Sequence, residues 1–286
     1  MTKKRQAKFD VEDFSRYLKQ FLPNVMKLFD PTPADISLVF NRFETRYAFY
    51  EKQLAVSESF YIENSLVDLI WKAEEGVPFA VDYLAFIEAQ CAVIMKNIDP
   101  ALCREFRSTM KNLFLNFDDN ESRIQSYVGE LCVLAKLLSS NVYRLLKVEY
   151  RLSNGNSIDY LLSDGERQHL VEVSNVDISG WPTPSRDKVV ELIWGKAKTK
   201  IETKFAGSGV PENMSFMLVQ VTWGDLEKLV PYQDVFSKGD LFGSVVAQPM
   251  HISRLQNTET NKEVYVFITT EAAIEMSRRR QHGRLS

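Results

Sequence analysis

The stretch YVGELCVLAKLLSSNVYRLLKVEYRLSNGNSIDYLLSDGERQHLVEVS, residues 127–174, decides the fold of the C-terminal half of this chain. An apolar segment with helical character comes first. Three strand-like segments follow it, at about 142–152, 157–163 and 168–174. The dipeptides Asn154-Gly155 and Asp164-Gly165 between them are typical of tight turns. The sequence therefore predicts a buried helix followed by a three-stranded antiparallel meander.

Three acidic residues interrupt this apolar pattern: Glu130 in the helix, Asp159 in the second strand and Glu172 in the third. Side chains alternate between the two faces of a strand. If the second loop comprises residues 164–167, Asp159 lies directly opposite Glu172; if it is only Asp164-Gly165, the two are diagonal neighbours. Both registers place the carboxylates on one face, about 4.5–8 Å apart. A three-residue loop would separate them, because a slip of one residue flips a face.

Two carboxylates on one sheet face repel each other unless a positive charge lies between them. A hard divalent cation such as Mg²⁺ or Mn²⁺ meets this need, and it can polarise a phosphodiester and activate water. We therefore expect Asp159 and Glu172 to bind such an ion, with Glu130 as a third donor. Glu149 and Asp177 are two further candidate ligands. The structural alternative is that Glu130 is a buried acid paired with a lysine or a backbone group.

The order of these elements resembles the PD-(D/E)xK nuclease superfamily, the restriction-endonuclease-like fold, over about residues 125–205. That family has an acid on a first helix, a meander with Asp on its second strand, then (D/E)xK on its third strand and a following helix. The resemblance implies catalytic and metal-binding roles for Glu130, Asp159 and Glu172. The lysine of the motif is absent, because Ser174 stands in its place.

Serine at position 174 cannot supply the charge of the missing lysine. Members of this superfamily relocate catalytic side chains, often to the following helix, which the sequence predicts at 185–205. Lys196 and Lys200 flank the apolar stripe of that helix, so each is a candidate for the catalytic lysine. The alternative is that these lysines form a solvated face.

The fold class that the whole chain predicts is α+β or α/β, with an all-helical region before an α/β domain with a mixed central sheet. Helical spacing of apolar residues recurs at 10–29, 35–50, 57–74, 78–97 and 101–116. Further buried strands are expected at 214–223 and 263–270, with residues 224–258 mixed and partly loop. We divide the chain into a helical domain, 1–120, and a nuclease-like α/β domain, 121–286.

Composition narrows the functional classes. The net charge of −3 provides no global basic field, so any site for a polyanion must be local. The three cysteines, Cys91, Cys103 and Cys132, lie in apolar helical contexts, which indicates buried thiols and a cytoplasmic location. The basic N-terminus lacks the apolar core of a signal peptide, and we expect no apolar segment to approach the length of a membrane span.

These observations favour a Mg²⁺- or Mn²⁺-dependent nuclease that hydrolyses phosphodiester bonds, with DNA as the favoured substrate. The first alternative is a catalytically inactive module of the same fold that binds nucleic acid or a protein. The second is a helical scaffold whose α/β domain serves an unrelated partner. The helical N-terminal region would contact substrate, a second copy of the chain or another protein.

Overall fold

The structure is a computed structural model, which describes residues 10–56, 65–115, 122–178, 185–206, 209–237, 247, 249–256 and 263–283 of the 286-residue chain. The basic N-terminal stretch lies outside these residues. The first part of the helix expected at 57–74 also lies outside them.

The N-terminal half is helical, as the sequence predicts. Its elements are α1 (Val11–Phe21), α2 (Pro23–Phe29), α3 (Pro33–Val56), α4 (Leu66–Glu74), α5 (Pro78–Asn97), a 3₁₀ segment (Pro100–Phe106), α6 (Arg107–Leu115) and α7 (Ser122–Ser139). Pro23 divides the first predicted helix in two, because proline cannot donate the backbone hydrogen bond of a helix interior but is well suited to a first turn.

Helix α5 is the most apolar of the long helices in the described part of the N-terminal half. Its 20 residues have the length and composition of a membrane span, with a mean hydropathy of 1.4 over its most apolar window. The same test is passed by core helices. In this fold α5 packs against α2, α4 and α7. The expectation that no segment reaches this length is therefore wrong for α5.

A six-stranded mixed sheet follows the helices, in the order β1-β2-β3-β4-β5-β6. The strands are β1 (Arg144–Arg151), β2 (Ser157–Ser163), β3 (Gln168–Asp177), β4 (Met214–Trp223), β5 (Met250–Gln256) and β6 (Glu263–Thr269). β1, β2 and β3 form an antiparallel meander, β3, β4 and β5 are parallel, and β5 and β6 are antiparallel. This confirms the predicted α+β layout with a mixed sheet.

The helices of the C-terminal half complete the second layer. They are α8 (Arg186–Val190), a π-helical segment (Glu191–Gly195), α9 (Lys196–Lys204), a 3₁₀ segment (Leu226–Tyr232), α10 (Gln233–Ser237) and α11 (Thr270–Gly283). The helix predicted at 185–205 is thus one continuous helix, and its middle is a π-helical segment. β5 lies where the sequence predicted a mixed, partly looped region.

Two apolar cores cover the two faces of the sheet. The first joins the N-terminal helices to one face, where Tyr160, Val171 and Val173 point. The second lies under α8 and α9 on the opposite face and includes Leu170 and Leu218. Because the first core contains both N-terminal helices and strands, the helical region and the sheet bury each other's apolar surface.

The loop between β2 and β3 sets the register of the acidic residues. Ser163 pairs with Gln168, so the loop comprises residues 164–167. Tyr160 pairs with Val171, and the same register continued by one residue places Asp159 opposite Glu172. This is the first of the two registers considered from the sequence.

A close helix-to-strand contact holds α7 against β3. A Cβ atom at Gly129 would overlap Asn175 Oδ1 and lie 3.0 Å from Asn175 Cγ. The Asn175 amide has little freedom to move, because Oδ1 accepts a bond from Trp223 Nε1 at 2.8 Å and Nδ2 donates to the Ser126 carbonyl at 3.2 Å. Gly129 therefore sets the depth at which its neighbour Glu130 lies over the sheet.

Gly129→Ala is expected to lower the free energy of unfolding by about 1–3 kcal/mol, because the added methyl group must displace a hydrogen-bonded side chain. Urea unfolding measures the change. Gly195→Ala is the matched control, since its Cβ would meet Glu191 Cγ at an ordinary 3.7 Å. That variant should be neutral or stabilised by up to about 1 kcal/mol. Equal effects of the two substitutions would contradict the close-contact account.

Candidate functional site

The carboxylate of Glu172 is buried in the middle of the sheet and bears two ion pairs. Its side chain is 1% exposed on β3, on the face that α9 covers. Oε1 lies 2.8 Å from Lys200 Nζ and 2.9 Å from Lys204 Nζ, and Oε2 accepts a bond from the Asp159 backbone N–H at 3.3 Å. An isolated carboxylate at this depth would be strongly destabilising, and the two ammonium groups offset the cost of burying it.

The spacing of the lysines explains why both reach one oxygen. Lys200 and Lys204 are four residues apart, so they share one face of α9. Lys200 Nζ also donates to the Val173 carbonyl on β3. Lys204 Nζ donates to the Ser157 carbonyl on β2 at 2.6 Å. The two ammonium groups therefore link α9 to both strands that carry the acids.

The turn between β1 and β2 fixes the C-terminal end of α9. Asn154 Nδ2 donates to the carbonyls of Lys204 and Ala206 at 2.9 and 3.2 Å. Asn156 Nδ2 donates to the carbonyls of Thr203 and Lys204 at 3.1 and 3.0 Å. Carbonyls in the last turn of a helix have no partner within the helix, so these amides act as a cap from outside. The hairpin turn thus positions the lysine-bearing helix.

Asp159 is half-buried beside Glu172. Its Oδ2 accepts a bond from the Val173 backbone N–H at 2.7 Å. Burial and the negative charge of Glu172 raise the pKa of Asp159 from 3.8 to about 6, against the opposing effect of Lys200. A carboxyl with this environment gains most from a further positive charge.

Glu130 approaches the pair from α7. Burial raises the pKa of Glu130 well above its usual range, and the charges of Asp159, Glu172 and Glu149 add to the rise. The Lys200 charge acts in the opposite direction. Glu130 is therefore within electrostatic reach of the acid pair, although among the described residues no group of three or more His, Cys, Asp or Glu side chains is arranged to hold a metal ion.

A groove of about 540 Å³ opens beside the ion pairs. Its walls include Ser174, Lys196, Thr199, Lys200, Thr203 and Lys204. Ser174 is buried and borders this groove, and Lys200 lines it as well. Glu191 also lines the groove, and Lys200 and Lys204 are paired with Glu172. Lys196 and the hydroxyls are therefore the groups best placed to contact an anion such as a phosphate group.

The structure brings together three of the five site residues that the sequence singled out, namely Asp159, Glu172 and Lys200. Glu130 lies close by, and Lys196 lines the groove without an ion pair to the acids among the described residues. Lys204 was missed, although its four-residue spacing from Lys200 is visible in the sequence.

Asp177, one of the two further candidate ligands, lies away from the acid pair. It is five residues beyond Glu172 on β3, about 17 Å along the strand, so it cannot join the acid pair.

The donor atoms present fit a hard divalent cation. Asp159, Glu172 and the Val173 carbonyl offer only oxygen, and Mg²⁺ is commonly held by one or two carboxylates with water completing its coordination. The Lys200 ammonium contacts Glu172 Oε1 and the Val173 carbonyl together, so a positive charge already lies between these oxygens.

No family model matches this sequence, and neither a curated protein nor a solved structure matches it. The resemblance to the PD-(D/E)xK superfamily therefore stays a prediction.

Asp159→Asn should change how stability depends on pH. The folded pKa of about 6 exceeds the usual 3.8, so ionisation of Asp159 destabilises the fold as pH rises through this range. The variant retains an acceptor for the Val173 N–H. Relative to wild type it should gain up to about 2–3 kcal/mol between pH 4 and 7, measured by urea unfolding without divalent cations. A stability difference between the two proteins that stays constant over this pH range would contradict a raised pKa for Asp159.

Proposed function

We propose that this protein is a divalent-cation-dependent nuclease that hydrolyses phosphodiester bonds, with DNA as the favoured substrate. The observation that carries the proposal is the juxtaposition of Asp159 and the buried Glu172 with Lys200 of the following helix. The two acids can hold the cation, and one lysine can stabilise the negative charge that develops on the phosphate. The order of the elements supports the same proposal by resemblance.

Asp159, Glu172 and the Val173 carbonyl would hold the cation. When bound, Mg²⁺ or Mn²⁺ would supply Lewis-acid polarisation of the phosphodiester and make a bound water more acidic. The Lys200 ammonium would then move partly away from Glu172. It could stabilise the negative charge that develops on the phosphate. Lys200, on α9, would thus take the role that the resemblance assigns to a lysine at position 174.

The groove beside the acids would bind the substrate. Lys196 is exposed on its wall, so it is suited to contact a phosphate without disturbing the acid pair. Contacts of this kind are independent of base sequence and weaken as salt concentration rises. We therefore assign Lys196 to substrate affinity and Lys200 to the chemical step.

A second candidate function is supported by the same ion pairs. Lys200 and Lys204 together neutralise Glu172 without any metal. The site would then be a structural ion-pair network within a catalytically inactive module that binds nucleic acid through the groove. Metal binding distinguishes the two functions, since the inactive module has no need of a cation.

The proposal is tested by incubating the protein with plasmid, linear and single-stranded DNA, and with RNA. The buffer contains Mg²⁺ or Mn²⁺, and EDTA replaces the metal in the control reaction. Asp159→Asn should abolish cleavage. Lys200→Ala should lower kcat by about 100-fold or more, because a group that stabilises developing charge is lost. Lys196→Ala should mainly raise KM and reduce the salt dependence of binding.

Lys198→Ala is the matched control for the two lysine variants. Lys198 is on the same helix but exposed, with its ammonium 3.8 Å from Glu202, so its removal should leave both kcat and KM unchanged. Absence of cleavage on all substrates, together with groove-dependent DNA binding that needs no cation, would favour the inactive module instead.

A further inference from the structure

The helix that carries the lysines repeats its functional and apolar residues every four positions. Three apolar residues with this spacing are fully buried beside the sheet: Val189, Ile193 and Ala197. Three lysines with the same spacing line the groove: Lys196, Lys200 and Lys204. In a regular α-helix each four-residue step overshoots one turn by about 40°, so both rows would wind around the helix axis.

The π-helical segment Glu191–Gly195 corrects this drift. Its turns are wider than those of an α-helix, so each residue advances by a smaller angle and the two rows stay aligned. Glu191, Leu192 and Gly195 line the groove themselves. Lys196 is the next residue, so its place on the wall follows from the geometry of this segment. π-Helical turns are rare and occur frequently at functional sites.

Gln220 on β4 holds the π-helical segment to the sheet. Its side chain is 0% exposed and lies on the same face as Glu172, because Gln220 pairs with Ser174. Nε2 donates a hydrogen bond to the carbonyl of Ile193, which also accepts one from the Lys196 backbone N–H. Ser174 borders the groove. The Gln220 amide therefore lies between the π-helical segment and the strand residue at the inner end of the groove.

The other polar atom of Gln220 has no partner. Oε1 is buried and accepts no hydrogen bond from the residues that the structure describes. Leaving a buried acceptor unpaired destabilises a fold, and an apolar side chain of similar shape avoids this cost. Apolar packing alone therefore does not account for a glutamine at this position. The bond from Nε2 to the Ile193 carbonyl is the contact that distinguishes it from an apolar residue.

We propose that Gln220 is a positioning residue for phosphate binding in the groove. Through Nε2 it fixes the π-helical turn and so the direction of Lys196, which contacts a phosphate of the nucleic-acid backbone. Glu191 on the same wall is paired with Lys188 at 2.8 Å, which leaves Lys196 to meet the phosphate. This inference rests on the proposed function, because it concerns the same groove, but it requires only binding and no cleavage.

Anisotropy of a fluorescein-labelled DNA oligonucleotide in EDTA measures binding without cleavage. Gln220→Met removes the amide and keeps the length of the side chain. It should weaken binding about fivefold, because the contact of one lysine with a phosphate is lost. The urea midpoint of unfolding should stay the same or rise, because a buried acceptor without a partner is removed. Gln220→Leu should give the same two results.

A double-mutant cycle shows whether Gln220 acts through Lys196. In the Lys196→Ala background, Gln220→Met should cause no further loss of affinity, because the residue that it positions is already gone. A glutamine with a purely structural role would instead lower the urea midpoint and leave the affinity unchanged.

Gln125→Met is the matched control. Gln125 Oε1 on α7 is also buried without a partner among the described residues, but α7 packs on the opposite face of the sheet. This variant should bind the oligonucleotide like the wild type.

The outcomes separate this inference from the proposed function. If both Gln220 variants bind like the wild type, or if Gln220→Met weakens binding equally with and without Lys196, the inference is overturned and the proposed function stands. If the wild type binds no DNA, both are overturned. Binding with the expected coupling but no cleavage in Mg²⁺ or Mn²⁺ would overturn the nuclease and support this inference.

Discussion

The structure around the site depends on one constraint, the burial of the Glu172 carboxylate at the centre of the sheet. A charge at this depth is compatible with folding only if opposite charge is held against it. Lys200 and Lys204 supply that charge on Oε1, and the Asp159 N–H donates to Oε2. Losing one partner would leave a buried charge poorly compensated. α9, β2 and β3 are therefore tied to one another by a polar contact as well as by apolar packing.

This polar contact is supported from both faces of the sheet. On one face, the amides of Asn154 and Asn156 hold the carbonyls at the end of α9 and so fix the lysines. On the other face, Gly129 lets α7 approach Asn175 closely and carries Glu130 to the sheet. The acids and lysines thus converge through packing of the two cores rather than through proximity in sequence. Such support from rigid elements is what a preorganised site requires.

The sequence predicts the local part of this arrangement and misses the long-range part. The turn at Asp164-Gly165 and the alternation of strand residues are local, and they place Asp159 and Glu172 on one face. β5 was missed because its sequence MHISRLQ is mixed, and its pairing with β4 and β6 depends on partners far along the chain. Lys204 was also missed, because the packing of α9 on the sheet brings its ammonium group to Glu172.

The central claim is that Asp159, Glu172 and the Val173 carbonyl surround a cation position that the Lys200 ammonium shares in the metal-free protein. The most direct measurement is a crystal structure of the protein soaked in Mn²⁺, with the ion located by its anomalous scattering. The account predicts one strong peak bonded to both carboxylates, with Lys200 moved away from Glu172 Oε1. The absence of a peak at this position, with both ion pairs to Glu172 intact, would contradict it.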